Sequence, residues 1–528
     1  MLPREKIRPV QYTRYNKYVA RVFVLSALVV PVLFSGPATP AMAEIKIMEG
    51  DSYVLETTPY ERTDLIMLEN TVDLDTKIRD DRVQYIGIDY ALALDLKFKN
   101  DGPQIYFKLE RYGPYAYDAP AIIHNTLNTY TGKVSAYHGA ELLPKAEEFW
   151  MDVPLSYKMP LRVKGGLYAY TVGHGISLNG FYKNYGLEAY TESDTFTWRV
   201  YTCWPDYSNK QLLGPYIKQE KPQLIDYEHS KAYFVSTDVK ISTEKMAVQP
   251  YVGLLMDFSD GKRSNLFQTP TREDMLGTVG VSWDFKFDKL SFGVEWARNF
   301  GVANSSDPEF PDVVHTGYTV FADASYAIGD FVPHSYFSYA SGNKVTEEMV
   351  ANGDVRYPGS TNNAFSVYSP FNTYLADAIY PSMTTMPLVA TGNGYGISYG
   401  VRRAGTFGDP GCMDNLVFIG IGFDYAFIKQ ASLVFDWWYM SNVQQGIGVY
   451  NGIPKKISPD LGHEVDLAFN YTVNKNIKLK ASSGIFFPGA AYREERTDTG
   501  GSLFTQFVRG DGKADPAYQL EMSVEFGF

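Results

Sequence analysis

The sequence predicts an all-β protein, a transmembrane antiparallel β-barrel of about 16–18 strands with short periplasmic turns and long external loops. Three observations predict it. Apolar and polar residues alternate with a period of two along most of the chain. Tight turns and long polar connections follow one another. Beyond the N-terminus, no apolar run reaches the roughly 20 residues that a membrane-spanning helix needs.

The first 43 residues have the composition of a secretory signal peptide. Six basic residues and one acid are followed by an apolar run over residues 22–34, and Ala41-Met42-Ala43 is a small-x-small cleavage site. An N-terminal membrane anchor is the alternative, but the run is shorter than a bilayer requires. The sequence therefore predicts a signal peptide over residues 1–43 and a single outer-membrane barrel domain over residues 44–528.

Composition limits the possible partners. The whole chain has a net charge of −12, and without the basic signal it has −17, which disfavours nucleic-acid binding. Aromatic residues and glycine are plentiful, with 41 Tyr, 32 Phe and 45 Gly. Cys203 and Cys412 could pair in an oxidising compartment, but two distant cysteines build neither a disulfide framework nor a zinc site.

Hairpins recur along the chain as runs of about 9–11 residues joined by tight turns. The paired runs are 88–98 with 105–109, 233–241 with 246–256, 279–287 with 290–296, 318–326 with 331–339, 417–427 with 431–439, and 465–473 with 477–487. The connections between hairpins are long and polar: 204–228, 258–271, 299–315, 341–391, 441–462 and 488–516. Short turns at one end and long loops at the other are typical of an outer-membrane barrel.

The final strand is apolar at every second residue from Tyr518 to Phe528. A terminal Phe on such a strand resembles the signal by which bacterial outer-membrane barrels are assembled. This resemblance implies that Phe528 lies at the periplasmic rim and is read by the barrel assembly machinery. In hydrocarbon every backbone N–H and C=O needs a partner, so the last strand is expected to pair with the first.

Residues 341–416 leave the strand number open, because "AFSVYSPFNTYL" could supply one more strand. Residues 341–391 are rich in Asn, Thr, Ser, Tyr and Pro. Folded inward, this region would narrow the barrel; held outward, it would cap it.

Two segments resemble the alginate-export family of outer-membrane porins. They are "LGHEVDLAFNYTVNKNIKLKASSGIFFPGAAY" and, more loosely, "AEEFWMDVPLSYKMPLRVKGGLYAYTVGHGISL". The resemblance implies a monomeric barrel of about 18 strands that passes a solute across the outer membrane. The sequence departs from that family at the expected lumen, since a polyanion channel resembles a funnel of inward Arg and Lys.

The polar faces of the strands predict which side chains line the lumen, and acids outnumber bases on them. The predicted pore-lining residues are Glu464, Asp466, Lys478, Lys480, Asp424, Asp436, Glu295, Arg199 and Arg402. A mixed, mildly acidic lumen predicts weak cation preference and disfavours polyanion export.

No catalytic or cofactor motif is present: neither a G-x-S-x-G elbow, a P-loop, an H-E-x-x-H site nor a C-x-x-C-H haem site occurs. His174, in "TVGHGISLNG", could approach a ligand, but the segment also fits a glycine-rich barrel strand. Arg402 and Arg403 could form a pore constriction or lie near lipid headgroups. Residues 140–150 fit a short helix or a solvated loop.

The sequence thus predicts a bacterial outer-membrane channel for passive transport of small hydrophilic solutes, in contact with outer-membrane lipid and lipopolysaccharide, with no enzymatic activity and no cofactor. Two alternatives stay open: a barrel that acts as sheath or scaffold for a partner such as an electron-conduit cytochrome, and a polysaccharide export channel. An outer-membrane hydrolase is a third possibility, but no set of residues identifies it.

Overall fold

The computed structural model describes residues 45–69, 83–111, 114–115, 145–156, 159–178, 184–204, 232–258, 271–305, 308, 311–344, 361–363, 365, 415–445, 447–450, 453–456, 458–493 and 515–527. Strands account for most of these residues. They are β1 Ile45–Glu49, β2 Tyr53–Glu69, β3 Val83–Phe98, β4 Gln104–Arg111, β5 Pro114–Tyr115, β6 Lys145–Ser156, β7 Met159–Tyr168, β8 Asn184–Glu192, β9 Phe196–Cys203, β10 Ala232–Ser242, β11 Met246–Asp257, β12 Thr271–Phe287, β13 Leu290–Ser305, β14 Val313–His315, β15 Tyr318–Tyr326, β16 Phe331–Ala340, β17 Thr361–Asn362, β18 Leu416–Ile428, β19 Ala431–Asn442, β20 Ile447–Tyr450, β21 Ile453–Lys456, β22 Asp460–Asn474, β23 Ile477–Pro488 and β24 Ala517–Gly527.

The wall is a closed antiparallel barrel of 18 strands. The wall strands are β2–β4, β6–β13, β15, β16, β18, β19 and β22–β24, each hydrogen-bonded to the next. The barrel closes where β24 pairs with β2, from Tyr60 opposite Gly527 to Glu69 opposite Tyr518. Closure gives every wall strand two neighbours, which hydrocarbon demands of a spanning sheet. The predicted fold class is confirmed, at the upper end of its strand range.

Strand β1 extends the seam where the barrel closes. It pairs with β2 over Val54–Thr57, on the same edge of β2 that β24 occupies from Tyr60 onward. Its last residue, Glu49, accepts hydrogen bonds from Lys46 and from Lys99 in the turn after β3. The hydrogen bond from Lys46, that from Lys99 and both positive charges lower the pKa of Glu49 to about 2. The cluster therefore stays ionised over the whole physiological pH range and ties β1 to the rim.

The alternation of short and long connections is confirmed. Two residues join β12 to β13, β18 to β19 and β22 to β23, whereas the connections at the other end are much longer. Some predicted boundaries are wrong. The connection predicted over residues 299–315 begins later, because β13 continues to Ser305 through its register with β12.

The prediction of a short helix or a solvated loop over residues 140–150 is also wrong from Lys145 onward, because strand β6 begins there. Its side chains alternate across the wall: Phe149 and Met151 are 54% and 49% exposed, whereas Asp152 is 6% exposed. This period of two is that of a strand.

Strands β16 and β18 pair directly along their length, from Phe331 opposite Tyr425 to Ala340 opposite Leu416. No strand therefore lies between β16 and β18, and all but Phe365 of "AFSVYSPFNTYL" is outside the described residues. The described part of this region folds inward: β17 pairs in parallel with β14, and Phe365 is buried.

Burial is inverted relative to a water-soluble protein. Glu295, Asp436 and Glu464 are 0% exposed, whereas outward apolar side chains such as Ile421 and Leu187 are about half exposed. Polar groups inside and apolar groups outside are the distribution expected when lipid is the outer solvent.

Several sequence predictions lie outside the described residues. They concern the signal peptide, Cys412, Arg402, Arg403 and Phe528. Cys203 is described, and its thiol is buried and unpaired. Among the described residues, helix is confined to one turn, α1 Ala490–Arg493, and no helix has the length and apolar character to cross a bilayer.

The sidedness of the wall can be tested with single cysteines on β18, in a chain whose two native cysteines are replaced by alanine. Phe423 lies on the outward face, and Asp424 lies on the lumenal face with a side chain that is 51% exposed. Asp424→Cys should react with a water-soluble maleimide, and Phe423→Cys only with a lipid-soluble one. Equal reaction of both cysteines with the water-soluble reagent would contradict this assignment of faces.

Candidate functional site

The centre of the candidate site is an internal turn formed by residues 169–178, here called the inward segment. The chain leaves the wall after Tyr168, and the side chains of Tyr170, Val172, Ile176 and Leu178 are all buried. The segment closes on itself, since the Val172 N–H donates to the Leu178 carbonyl over 3.1 Å and the Gly175 N–H donates to the Val172 carbonyl over 3.0 Å. The interpretation of this stretch as a glycine-rich barrel strand is therefore wrong.

Polar contacts dock the inward segment on the inner faces of β10, β11 and β13. The Tyr170 hydroxyl donates to Asp238 over 2.9 Å, and the hydroxyls of Ser177 and Tyr251 are 2.7 Å apart. Thr171 accepts a hydrogen bond from Arg199 through its carbonyl. Because these partners face the lumen, the segment lies inside the barrel and narrows it.

The carboxylate of Glu295 holds the tip of the inward segment. It accepts hydrogen bonds from the His174 N–H and from the Tyr251 hydroxyl, each over 2.5 Å. Gly173 fits against it with a φ of 59°, and a Cβ at that position would come within 2.6 Å of a Glu295 oxygen. Left-handed backbone and lack of space together require glycine here.

The His174 imidazole projects beside a lumenal carboxylate. Its Nε2 is 3.6 Å from an oxygen of Asp284, and its ring centroid is 5.2 Å from that of Phe321. Asp323 lies close by, since a Cβ on Gly293 would touch both its carboxylate and the His174 ring. Two aspartates thus lie beside the histidine at the tip of the inward segment.

A second acidic group lies on β16, β18 and β19. His334 Nε2 is 2.7 Å from an oxygen of Asp436, although β18 runs between their strands. Gly422 occupies the intervening position, where a Cβ would come within 2.3 Å of Asp436 and 2.7 Å of His334. Asp424 faces the other side of the His334 ring, with its carboxylate 3.7 Å from Nδ1.

The predicted lumenal residues Asp436, Asp466 and Glu464 form one continuous patch. Asp436 and Asp466 are directly opposite on β19 and β22, and both are almost completely buried. The patch continues to Trp438, which is opposite Glu464 and stacks on Tyr336 at a centroid distance of 5.3 Å.

The arginines of β7 and β9 are neutralised by acids. The Arg199 guanidinium donates to Asp238 through Nε and Nη2, and Arg162 donates to both oxygens of Asp152. Lys164 lies over the Trp150 ring at 4.0 Å from its centroid. Arg199 therefore lies on the inner face of β9 as the partner of a buried aspartate.

The predicted pore-lining residues do not form one site. Asp424, Asp436, Glu464 and Asp466 share one part of the wall, whereas Glu295 lies at the inward segment. Lys478 and Lys480 are on β23, opposite Glu525 and Ser523 of β24. Arg402 is outside the described residues.

The sequence did not identify Tyr251 and His334 as organising residues. One signal for the inward segment was present: the period of two stops after Tyr168, and Gly173 and Gly175 follow within seven residues, which is a turn pattern. The sequence carried no such signal for the hydrogen bond between His334 and Asp436, because this contact depends on the register of β16 and β19 with β18.

A third histidine anchors the other inward element. His315 Nε2 is 2.9 Å from an oxygen of Asp274, and its Nδ1 is 3.3 Å from the Asn362 amide. A carboxylate accepts only, so the proton belongs on Nε2, and Nδ1 accepts from Asn362. Asn362 also accepts from the Asn343 amide over 2.7 Å, which fixes β17 inside the barrel.

Among the described residues, no three His, Cys, Asp or Glu side chains converge so as to hold a metal ion. Charge and shape are the properties that this lumen offers a solute. The carboxylates of Asp284 and Asp424 are about half exposed, at 49% and 51%, and histidine is their nearest basic neighbour. Such a wall attracts cations.

Comparison with known proteins gives similarity at the level of the fold. No family model matches the chain, and no curated protein matches it. Among solved structures, Pseudomonas aeruginosa OccK5 (OpdH) matches with a TM-score of 0.47 and 8% identity, over 90% of this chain and 98% of that one. P. aeruginosa OpdK with vanillate gives the same four values. A BenF-like porin from Pseudomonas fluorescens Pf-5 matches with a TM-score of 0.47 and 8% identity, over 90% of this chain and 99% of that one.

Proposed function

We propose that the chain is an outer-membrane channel through which small hydrophilic solutes diffuse, selected at the inward segment by size and charge. The observation that carries the proposal is the inverted wall: ionisable side chains such as Glu295 and Asp436 are buried inside, and apolar side chains cover the outside. A closed wall with that distribution is stable in a bilayer and provides a polar path across it.

Selection in this proposal requires no covalent chemistry. The inward segment sets the width of the path, and the carboxylates of Asp284, Asp323 and Asp424 set its charge. Ion selectivity in channels follows from such rings and patches of charged side chains. Arg162 and Arg199 are neutralised by aspartates, whereas Asp284 and Asp424 are half-exposed and have only histidine as a basic neighbour, so these carboxylates favour cations.

The alternatives of sheath and of polysaccharide exporter receive less support from the lumen. A sheath needs room for its partner, yet Tyr170, Phe234 and Trp438 fill part of the interior and are at most 2% exposed. A polyanion exporter of the alginate type needs unpaired lumenal cations. The described arginines of the lumen, Arg62, Arg162 and Arg199, are each bonded to an acid.

Planar-bilayer recording under a salt gradient tests the proposed channel. The wild-type protein should give open-channel current with a weak cation preference, a permeability ratio of roughly two to five. Absence of current under all conditions would contradict the diffusion channel, and strong anion preference would favour the polyanion exporter. Co-purification of a cytochrome would favour the sheath.

The acidic wall gives a sharper test through the double variant Asp284→Asn/Asp424→Asn. Removal of two half-exposed carboxylates should bring the permeability ratio close to one while leaving the conductance in high salt nearly unchanged, since Debye screening already weakens charge effects there. Asp288→Asn is the matched control, because the same change falls in the turn after β12 and asparagine tolerates its φ of 51°. An unaltered ratio in the double variant would exclude these carboxylates as the selective groups.

A further inference from the structure

The outward face of β12, β13, β15 and β16 carries one charge at membrane depth, that of Arg298. Its cross-strand neighbours are Val279 on β12 and Tyr318 on β15, both about 41% exposed. Trp296 and Phe300 lie two residues away on the same face of β13 and are 37% and 42% exposed. Arg298 is therefore surrounded by side chains that suit lipid.

Arg298 has no acid and no hydrogen-bond acceptor of its own in the described structure, unlike Arg162 and Arg199 of the lumen. A guanidinium cannot lose its charge, and on the lipid face of a barrel an unpaired arginine is costly at the bilayer midplane and tolerated near the interfaces. Its depth in the membrane therefore decides what surrounds it.

Counting from the periplasmic turns gives this depth. Arg298 is the ninth residue of β13, Tyr339 is the ninth of β16, and Tyr318 is the ninth of β15 counted back from its turn at Tyr326. A tilted strand crosses the hydrocarbon in about 9–11 residues. All three side chains therefore reach the external boundary of the hydrocarbon, where interface aromatics are expected.

The two tyrosines complete a polar group beside the arginine. Their rings stack at a centroid distance of 5.4 Å, and the Tyr318 hydroxyl donates to that of Tyr339 over 3.3 Å. Directly opposite residues of an antiparallel pair have adjacent side chains, so the Tyr318 phenol and the Arg298 guanidinium share one outward surface. That surface offers five guanidinium N–H donors and the tyrosine hydroxyls to a ligand in the outer leaflet.

We propose that Arg298, with Tyr318 and Tyr339, binds a phosphate group of a lipopolysaccharide lipid A moiety in the outer leaflet. Guanidinium and phosphate match in charge and in bidentate geometry, and the phosphates of lipid A lie at the depth where the three side chains emerge. The inference rests on the outer-membrane location in the proposed function, but not on solute passage.

Lipid retention tests this site. The full-length barrel and its Arg298→Ala variant are purified from outer membranes in mild detergent, and bound lipid A is quantified by native mass spectrometry. The variant should retain about ten-fold less, the loss expected for a charge-assisted bidentate contact. Lys429→Ala is the matched control: it removes one cation from the turn between β18 and β19 at the opposite rim, and should retain as much as the wild type.

Added lipids identify the group that is bound. Bisphosphorylated lipid A should raise the unfolding temperature of the delipidated wild type but not that of Arg298→Ala, and dephosphorylated lipid A should have no effect on either. Equal retention by Arg298→Ala, or equal stabilisation by dephosphorylated lipid A or by phosphatidylglycerol, would overturn the assignment. Single-channel current should be unchanged in Arg298→Ala, so failure of this site and failure of the channel are distinguishable.

Discussion

Glu295→Ala is expected to release the inward segment and raise the single-channel conductance. The Glu295 carboxylate is fully buried and accepts from the His174 N–H and the Tyr251 hydroxyl. Without it the His174 N–H and the Tyr251 hydroxyl lose this acceptor, at a cost of about 1–3 kcal/mol for each donor left unsatisfied in the docked state. The undocked state, in which water solvates these donors, pays no such cost. A few kcal/mol is enough to move a two-state equilibrium by one or more orders of magnitude.

The measurement is single-channel current in planar bilayers, together with the size limit for permeation of neutral polymers. Both should increase in Glu295→Ala. Gly173→Val should have the same effect by a different route, because its side chain collides with the Glu295 carboxylate and disfavours a φ of 59°. Glu295→Gln is the conservative control, since its amide oxygen still accepts a hydrogen bond. If both disruptive variants inserted normally and conducted like the wild type, the inward segment would not be the constriction.

Side-chain periodicity was enough to predict the barrel. In β22 the sequence places Glu464 and Asp466 on one face and Val465 and Leu467 on the other, and the structure buries the acids and leaves the apolar residues partly exposed. A period of two assigns faces from local sequence alone, since successive side chains point to opposite sides of a strand. The tight turn that joins the two strands of each hairpin is also visible in a few consecutive residues. Strands joined in this way are neighbours in the wall, and so the order of the wall strands can be predicted.

Local sequence patterns do not predict which segments of the chain fold into the lumen or which side chains hold them there. The inward segment is held by Asp238, which lies 68 residues after its partner Tyr170, and by Glu295, which lies 121 residues after its partner His174. The bond from His334 to Asp436 requires Gly422 to stand between them in register. These contacts depend on the closure of 18 strands into one wall, so a single strand's sequence carries no sign of them.

Asp238→Ala is expected to destabilise the barrel more than other lumenal substitutions. The Asp238 side chain is fully buried and accepts hydrogen bonds from Arg199, from the Tyr170 hydroxyl and from the Gln249 amide over 2.7 Å. Removing one partner of a buried ion pair leaves an uncompensated charge, which costs about 3–5 kcal/mol. Here the charge belongs to Arg199, whose side chain is 23% exposed and retains a contact of 4.0 Å to the carboxylate of Glu188 and a hydrogen bond to the Thr171 carbonyl.

The cost should be measured as the free energy of unfolding in urea, with folded barrel quantified by its altered gel mobility. Asp194→Ala, in the exposed turn between β8 and β9, is the control and should change this free energy little.

The double variant Asp238→Leu/Arg199→Leu separates the two possible causes of lost stability, which are the unpaired charge of Arg199 and the loss of the other hydrogen bonds of Asp238. If the loss of stability comes from the unpaired Arg199 guanidinium, removing both charges should restore much of the free energy of unfolding. Apolar residues of similar volume often replace a buried ion pair without loss of stability. If Asp238→Ala unfolded within about 1 kcal/mol of the wild type, the Arg199 charge would already be solvated by lumenal water, and this part of the lumen would be open.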